Sequence, residues 1–203
     1  MELNRSRRMR ANKFLLSFVL ASPCKAFLPT GIIKTMSRPS STSAAAASLP
    51  PLLDASGESI SPESLKLTNK RVALYFAAGW CPMCTSFEPS LLQFRDAANE
   101  SGKPIELIYV PSDRSADDQA KRAASMNMWS VPFGDEADNL KLKFKIWSGA
   151  EAAKLGRDRR SGVPALVVLD KDNGEELKFL PAESQGVSSL KLWPMEDEQG
   201  IWS

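Results

Sequence analysis

Apolar runs of strand length dominate the hydrophobic pattern of the chain. The run from Val72 to Ala78 and the run from Ala165 to Leu169 are rich in β-branched, aromatic and small apolar residues and contain no charge. Such composition is typical of strands that are buried on both faces. A third run, Ile105 to Val110, is apolar at most positions and is predicted to be a strand too.

Between these strands, the apolar residues recur at helical spacing. Phe87, Leu91 and Phe94 recur at intervals of three to four and predict a helix that ends near Gly102. Ser115, followed by acidic residues, predicts the start of a second helix. Strands that alternate with helices over short joints imply right-handed parallel β-α-β units. The predicted fold class is therefore α/β.

Turn residues predict two hairpins. A short N-terminal hairpin is expected where Leu52 and Leu53 are joined to Ile60 through the turn at 54–57. A second hairpin is expected at Asp172-Asn173-Gly174, before a strand over 175–180.

Apolar residues alternate with lysines over 140–147. This period of two predicts an exposed edge strand in which Lys141, Lys143 and Lys145 form one cationic face. A helix is an alternative, because leucine and lysine also favour helices. The lysines are interpreted as a solvated face, with an anionic docking surface as the functional alternative.

A two-cysteine stretch, Trp80-Cys81-Pro82-Met83-Cys84, joins the first strand to the first helix. A cysteine in the first helical turn points its sulfur at unpaired backbone N–H groups and at the positive end of the helix dipole, which favours thiolate. We therefore expect Cys81 to be a nucleophile, and Cys84, almost one turn further on, to resolve a mixed disulfide formed at Cys81. Pro82 suits the first helical position.

A zinc site and an inert pair of core cysteines are the alternatives. The chain has no histidine and only one further cysteine, Cys24, so cysteine and histidine cannot supply four zinc ligands. An inert pair is disfavoured by the neighbouring Trp80, which we expect to be exposed. The pattern predicts a redox dithiol that needs no cofactor and no metal.

Charge divides the chain into two parts. Residues 1–48 hold eight of the 26 basic residues and one of the 24 acidic residues, so the remainder has five more acids than bases. A domain of that charge has no basic stripe for nucleic acid, and no nucleic-acid partner is expected. Residues 49–203 are predicted to form one domain, and nothing in them demands more than a monomer.

The first 26 residues are predicted to be a signal peptide. Basic residues up to Lys13 precede eight almost wholly apolar residues at 14–21, which are too few to span a membrane. A small-x-small cleavage signal ends at Ala26, so cleavage would fall before Phe27. Stable membrane insertion is not expected.

Residues 27–48 form a second targeting segment in this interpretation. They are rich in Ser, Thr and Ala and contain no acid, as is typical of disordered transit peptides. Together with Ala26, Phe27 and Pro29, the segment resembles the bipartite presequences of algae whose plastids arose by secondary endosymbiosis. The expected location is the plastid; a secretory or a mitochondrial protein is the alternative.

The chain from about Leu52 to Pro194 resembles the thioredoxin fold and, within it, the tryparedoxin and nucleoredoxin branch. Four segments carry the resemblance: Ala78-Gly79-Trp80-Cys81-Pro82, Cys84 to Phe87-Glu88-Pro89, Trp129-Ser130-Val131-Pro132-Phe133, and Gly162-Val163-Pro164. The resemblance implies a mixed β-sheet flanked by helices and a cis Val163-Pro164 bond that faces the sulfurs.

The resemblance also implies a function. A protein-disulfide reductase is expected, with Cys81 and Cys84 forming the redox-active disulfide and with Trp80, Pro82, Val163 and Pro164 contacting the substrate. Its partners would be protein disulfides, for example those of peroxiredoxin-type clients, and an upstream thiol reductant. A glutaredoxin-like glutathione-dependent reductase and a non-catalytic interaction module are the alternatives.

One departure from the thioredoxin pattern affects proton transfer. Many thioredoxins have a buried aspartate six residues before the first cysteine, whereas this chain has Tyr75 there, as in the tryparedoxin branch. Without histidine, proton transfer must use water or a carboxylate such as Glu88.

Overall fold

The computed structural model describes residues 44–202. The predicted signal peptide at 1–26, and all of the predicted transit segment before residue 44, lie outside the described residues. The strands are β1 (Leu52–Leu53), β2 (Ser59–Ile60), β3 (Arg71–Ala77), β4 (Ile105–Pro111), β5 (Trp129–Ser130), β6 (Ala165–Leu169) and β7 (Glu176–Leu180). The α-helices are α1 (Ala44–Ala47), α2 (Pro82–Glu100), α3 (Ala116–Met126), α4 (Asp135–Phe144), α5 (Ala152–Leu155) and α6 (Ala182–Gln185). Short 3₁₀ helices lie at Pro62–Ser64, Gly149–Glu151 and Gly186–Leu192.

The strands form one mixed sheet in the order β2-β1-β5-β4-β3-β6-β7. The pairs β3–β4 and β4–β5 are parallel, as the alternation of strands and helices predicts, and the remaining pairs are antiparallel. Every residue of β3 is buried, because β4 and β6 pair with its two sides and helices flank the sheet. The mixed α/β fold implied by the sequence is confirmed.

Both predicted hairpins are present. In the first, Leu52 pairs with Ile60, and the Asp54 carboxylate accepts the backbone N–H groups of Ser56 and Glu58 within the turn. The second joins β6 to β7, and Gly174 takes a positive φ of 70° in its turn. Glycine is favoured there because other residues rarely adopt that backbone conformation.

The predicted edge strand over 140–147 is wrong, since residues 135–144 form α4. Acidic residues fill the first turn of this helix and lysines fill the last turn, an arrangement that the helix dipole favours. The lysines also do not share one solvated face. Lys141 is buried and pairs with Asp138 and Glu151, whereas Lys143 and Lys145 are exposed.

The folded part also begins earlier than expected. The sequence pattern places residues 44–48 in the disordered transit segment, but α1 occupies most of them and buries Ala45 and Ala46. Gly174 lies so close that a Cβ atom on it would meet the Ser48 Oγ at 2.3 Å. The start of the domain therefore packs on the turn between β6 and β7.

Candidate dithiol active site

Cys81 is the N-cap residue of α2, directly after the turn that follows β3. Its backbone is extended, with φ −89° and ψ 114°, and Pro82 takes the first helical position. The Cys81 sulfur accepts the backbone N–H of Cys84 at 3.4 Å. The contact that the sequence predicts between this sulfur and the unpaired N–H groups of the helix start is therefore present.

The two cysteines differ in exposure. Cys81 is 7% exposed, whereas Cys84 is completely buried, and both are free thiols. Burial is the main cause that raises the pKa of the Cys84 thiol; the contact with Cys81 adds to it, and the positive charge of Arg122 opposes it. Cys81 is therefore the sulfur that an incoming molecule can reach.

A loop before β6 faces the Cys81 sulfur. Its Val163-Pro164 bond is cis, and the Cys81 thiol lies 3.7 Å from the Val163 carbonyl oxygen. The Gly162 N–H donates to the Glu183 carboxylate at 2.5 Å, and that carboxylate also pairs with Arg159. The loop is thus fixed by a carboxylate of α6.

Trp80 lies beside the cysteines and is 38% exposed. Its indole N–H donates to the Ser112 carbonyl oxygen at 2.9 Å, and the Arg114 guanidinium lies 5.4 Å from the ring centroid. The indole therefore forms a partly exposed apolar wall whose orientation is fixed by the segment after β4.

Asp113 anchors the turn that carries Trp80. Its carboxylate accepts the backbone N–H of Gly79 at 2.8 Å and the hydroxyl of Tyr109 at 2.6 Å. Burial raises the pKa of Asp113, and these two hydrogen bonds act against that shift. Two neighbouring strand ends are thereby tied together next to the dithiol.

An open cavity of about 460 Å³ adjoins Trp80. Its lining comes from the Trp80 turn, the segment after β4 and one side of α3: Gly79, Trp80, Asp113, Arg114, Asp118, Lys121, Arg122 and Ser125. Arg122 also reaches inward from this lining to the buried carboxylate of Glu88.

Within residues 44–202, no cluster of three or more His, Cys, Asp or Glu side chains could hold a metal ion. The same residues contain no helix of sufficient length and apolar character to cross a membrane.

Comparison with known proteins identifies the fold family. The family model described as thioredoxin-like matches residues 69–176, which is more than half of the chain. The chain belongs to the thioredoxin-like family. The bovine (Bos taurus) nucleoredoxin is 33% identical over 120 residues, 59% of this chain and 24% of that protein. This chain thus spans about a quarter of the length of the nucleoredoxins that it matches.

Tryparedoxins are similar over more of their own length. The Trypanosoma brucei brucei tryparedoxin is 30% identical over 123 residues, 61% of this chain and 74% of that protein. The structure of tryparedoxin II from C. fasciculata superposes with a TM-score of 0.54 at 26% identity, covering 74% of this chain and 90% of that one. These similarities support a thiol-disulfide oxidoreductase of the thioredoxin-like family.

The structure brings most of the sequence-predicted residues together. The Cys81 sulfur contacts both the Val163 carbonyl oxygen and the backbone N–H of Cys84, and Trp80 and Pro82 adjoin Cys81 in the chain. Sequence reasoning missed Asp113 and Arg122. For Asp113, the usable signal was its position two residues after a buried strand, at the same sheet edge as the cysteines. Nothing in the sequence pairs Arg122 with Glu88.

Proposed function

We propose that this thioredoxin-like protein is a protein-disulfide reductase. The Cys81 thiolate attacks one sulfur of a client disulfide; the client S–S bond breaks, and a bond forms between Cys81 and the client. The second client sulfur leaves as a thiolate and takes a proton from solvent. Cys84, as thiolate, then attacks the Cys81 sulfur, which releases the reduced client and leaves a Cys81–Cys84 disulfide.

The observation that carries this proposal is the asymmetry of the two sulfurs. Cys81 lies at the helix start, accepts a backbone N–H and is partly accessible, whereas Cys84 is fully buried behind it. A backbone N–H aimed at the sulfur, together with the helix dipole, stabilises negative charge on Cys81. An external disulfide therefore meets Cys81 first, and Cys84 acts only after a mixed disulfide has formed.

Client binding is assigned to the surfaces on either side of Cys81. Trp80 supplies an exposed apolar wall, and the Val163-Pro164 loop supplies backbone next to the sulfur. Pro82 starts α2 between them. We propose that an extended client segment pairs with the loop while its disulfide lies at Cys81, and that an upstream thiol reductant later reduces the Cys81–Cys84 disulfide.

Reduction of insulin or of a peroxiredoxin, followed with purified protein, tests the proposal. Cys81→Ser is expected to abolish reduction, and Cys84→Ser is expected to accumulate a covalent complex with the client that added thiol dissolves. Cys24→Ser is the matched control, because it removes a cysteine that the mechanism does not use. Wild-type protein that reduces client no faster than Cys81→Ser would refute the assignment. Absence of client reduction by both proteins would favour a non-catalytic interaction module.

The same assay separates the glutathione-dependent alternative. Turnover with thioredoxin reductase but not with glutathione as electron source is expected. Turnover sustained by glutathione and glutathione reductase alone would instead place the protein with glutaredoxin-like reductases.

A further inference from the structure

Beneath the resolving cysteine lies a buried ion pair to which the dithiol mechanism above gives no role. Glu88 is four residues after Cys84 on α2, so the two side chains lie on the same face of the helix. Both are buried, Glu88 at 4% exposure and Cys84 at zero. A carboxylate is rarely buried to this degree unless it is paired.

The partners of Glu88 come from two other elements. Tyr75 on β3 donates its hydroxyl to Glu88 Oε1 at 3.3 Å. Arg122 on α3 donates its Nε to the same oxygen at 3.2 Å and pairs through its terminal nitrogen with Oε2. The carboxylate thus receives three donors, and its negative charge is matched by one guanidinium.

Arg122 reaches from the open cavity to Glu88, which is about one helical turn from the resolving thiol. Its side chain is 22% exposed and lines the cavity beside Trp80, while its charge acts favourably on the Cys84 thiolate. Glu88 is its one ion-pair partner in the part of the chain that the structure describes. Without Glu88, the guanidinium would be free to turn into the open cavity and towards water.

We propose that Arg122, held in place by Glu88, stabilises the Cys84 thiolate in the step that resolves the mixed disulfide. This inference rests on the proposed function and assigns residues to its second step. In that step the Cys84 thiol loses its proton to water, its sulfur bonds to Cys81, and the client leaves with the electron pair of the broken Cys81–client bond. Glu88 is a positioning residue that acts through Arg122.

The physical need for such a charge follows from the burial of Cys84. A thiolate in a buried site is disfavoured by desolvation, and a nearby positive charge offsets that penalty. The Cys84 sulfur has no exposed surface, so water cannot fully solvate its thiolate. A charge fixed in the protein is needed instead. The ion pair next to this site joins α2 to α3, and β3 contributes the hydroxyl of Tyr75 to it.

Stopped-flow reaction of the reduced protein with an aromatic nitrobenzoate disulfide separates the two steps. Attack by Cys81 releases one coloured thiolate, and attack by Cys84 on the mixed disulfide releases the second. For Arg122→Met, the pH midpoint of the second release should rise by about one unit and its rate near neutral pH should fall about tenfold, as a shift of one pKa unit implies. The first release should stay within about twofold of wild type.

Three further variants complete the test. Arg122→Lys should restore most of the second-phase rate, because it retains the charge. Lys121→Met is the matched control, since it removes a cation of the same cavity that has no ion pair to Glu88. The double variant Glu88→Gln/Arg122→Met leaves no unpaired buried charge, so it should fold and should still show the slow second phase.

An unchanged second-phase midpoint in both Arg122→Met and the double variant would overturn the inference. A wild-type rate in the double variant would do the same, because it would show that only the unpaired carboxylate is harmful. Failure of the proposed function would look different: the wild-type protein would reduce no client, whatever the behaviour of Arg122.

Discussion

The sulfur of Cys81 lies 3.7 Å from the carbonyl oxygen of Val163, 82 residues further along the chain. Strands β3 and β6 are antiparallel neighbours, so the end of β3 lies next to the start of β6. The turn that carries Cys81 follows β3, and the Val163-Pro164 loop precedes β6. Sheet topology therefore brings a nucleophile and the backbone of the Val163-Pro164 loop together at one end of these strands.

The first prediction concerns the support of this loop. A Cβ at Gly162 would meet the Glu183 Oε1 at 2.0 Å, so Gly162→Ala should displace the carboxylate that accepts the Gly162 N–H. We expect KM for protein disulfides to rise about tenfold, equivalent to about 1.4 kcal/mol, with a much smaller effect on a small aromatic disulfide. Steady-state kinetics with both substrates measure this difference.

Gly149→Ala is the control for that experiment, because a Cβ at Gly149 meets no atom within 4 Å. Equal KM values for Gly162→Ala and wild type would mean that the loop does not bind the client.

The second prediction concerns the pH dependence of stability at Asp113. Burial raises the pKa of this carboxyl above its ordinary value of 3.8, so the folded state holds the proton more tightly than the unfolded state. The stabilisation from this group is full below that ordinary value and is lost as pH rises through the raised pKa. Urea unfolding of wild type and Asp113→Asn should show the free-energy advantage of wild type declining as pH rises above 3.8.

An advantage that instead grew with pH over this range would show that the hydrogen bonds from Gly79 and Tyr109 outweigh the burial of the carboxylate.

The third prediction separates the lysines of α4. Lys141 is buried and pairs with Glu151 at 2.5 Å, so Lys141→Met leaves that carboxylate without its cationic partner. We expect a loss of about 3 kcal/mol in the free energy of unfolding. Lys143 forms a more exposed pair with Glu175, and Lys143→Met should change the free energy of unfolding by less than about 1 kcal/mol. Similar losses in both variants would contradict the structural difference.

The elements nearest the dithiol could be predicted because their signals are local. The predicted strand from Val72 and the predicted helix after Cys81 coincide with β3 and α2 almost to the residue, since apolar periodicity and the N-cap position are written in adjacent residues. The N-cap role of Ser115 was equally readable, and its side chain accepts the Asp118 N–H.

What could not be predicted depends on contacts between distant segments. Alternation at 140–147 favoured a strand, but burial of Lys141 against Glu151 and a first turn of acids stabilise α4 instead. Likewise, no local pattern places Arg122 on Glu88, because that pair exists only after α3 packs beside α2. Local periodicity predicts which face of an element a side chain occupies, but it does not predict which charged residue of another element that side chain will contact.

The fourth prediction concerns the start of the folded domain. Because Ala45 and Ala46 are buried and the Ser48 hydroxyl reaches the Gly174 carbonyl oxygen at 3.4 Å, a chain beginning at residue 49 should be less stable than one beginning at residue 44. Loss of these small apolar contacts should lower the free energy of unfolding by about 1–2 kcal/mol. Both chains should reduce disulfides at the same rate, since α1 lies on the turn between β6 and β7. Equal stability of the two chains would show that α1 contributes nothing.

The last prediction concerns the targeting role of residues 1–48. We propose that these residues can be removed without loss of redox activity. Their basic start, short apolar run and acid-free Ser/Thr/Ala tract are typical of a bipartite presequence, so fusion to a fluorescent protein should direct the reporter to a plastid. Phe27→Ala should leave the reporter in the secretory system, because Phe27 is the first residue after the expected cleavage. Fluorescence microscopy of the two fusions distinguishes these outcomes. Plastid import that is unaffected by Phe27→Ala would refute the role of the Ala26-Phe27 junction. Release of the unmutated fusion into the medium would refute the plastid location, but it would not affect the proposed chemistry of Cys81 and Cys84.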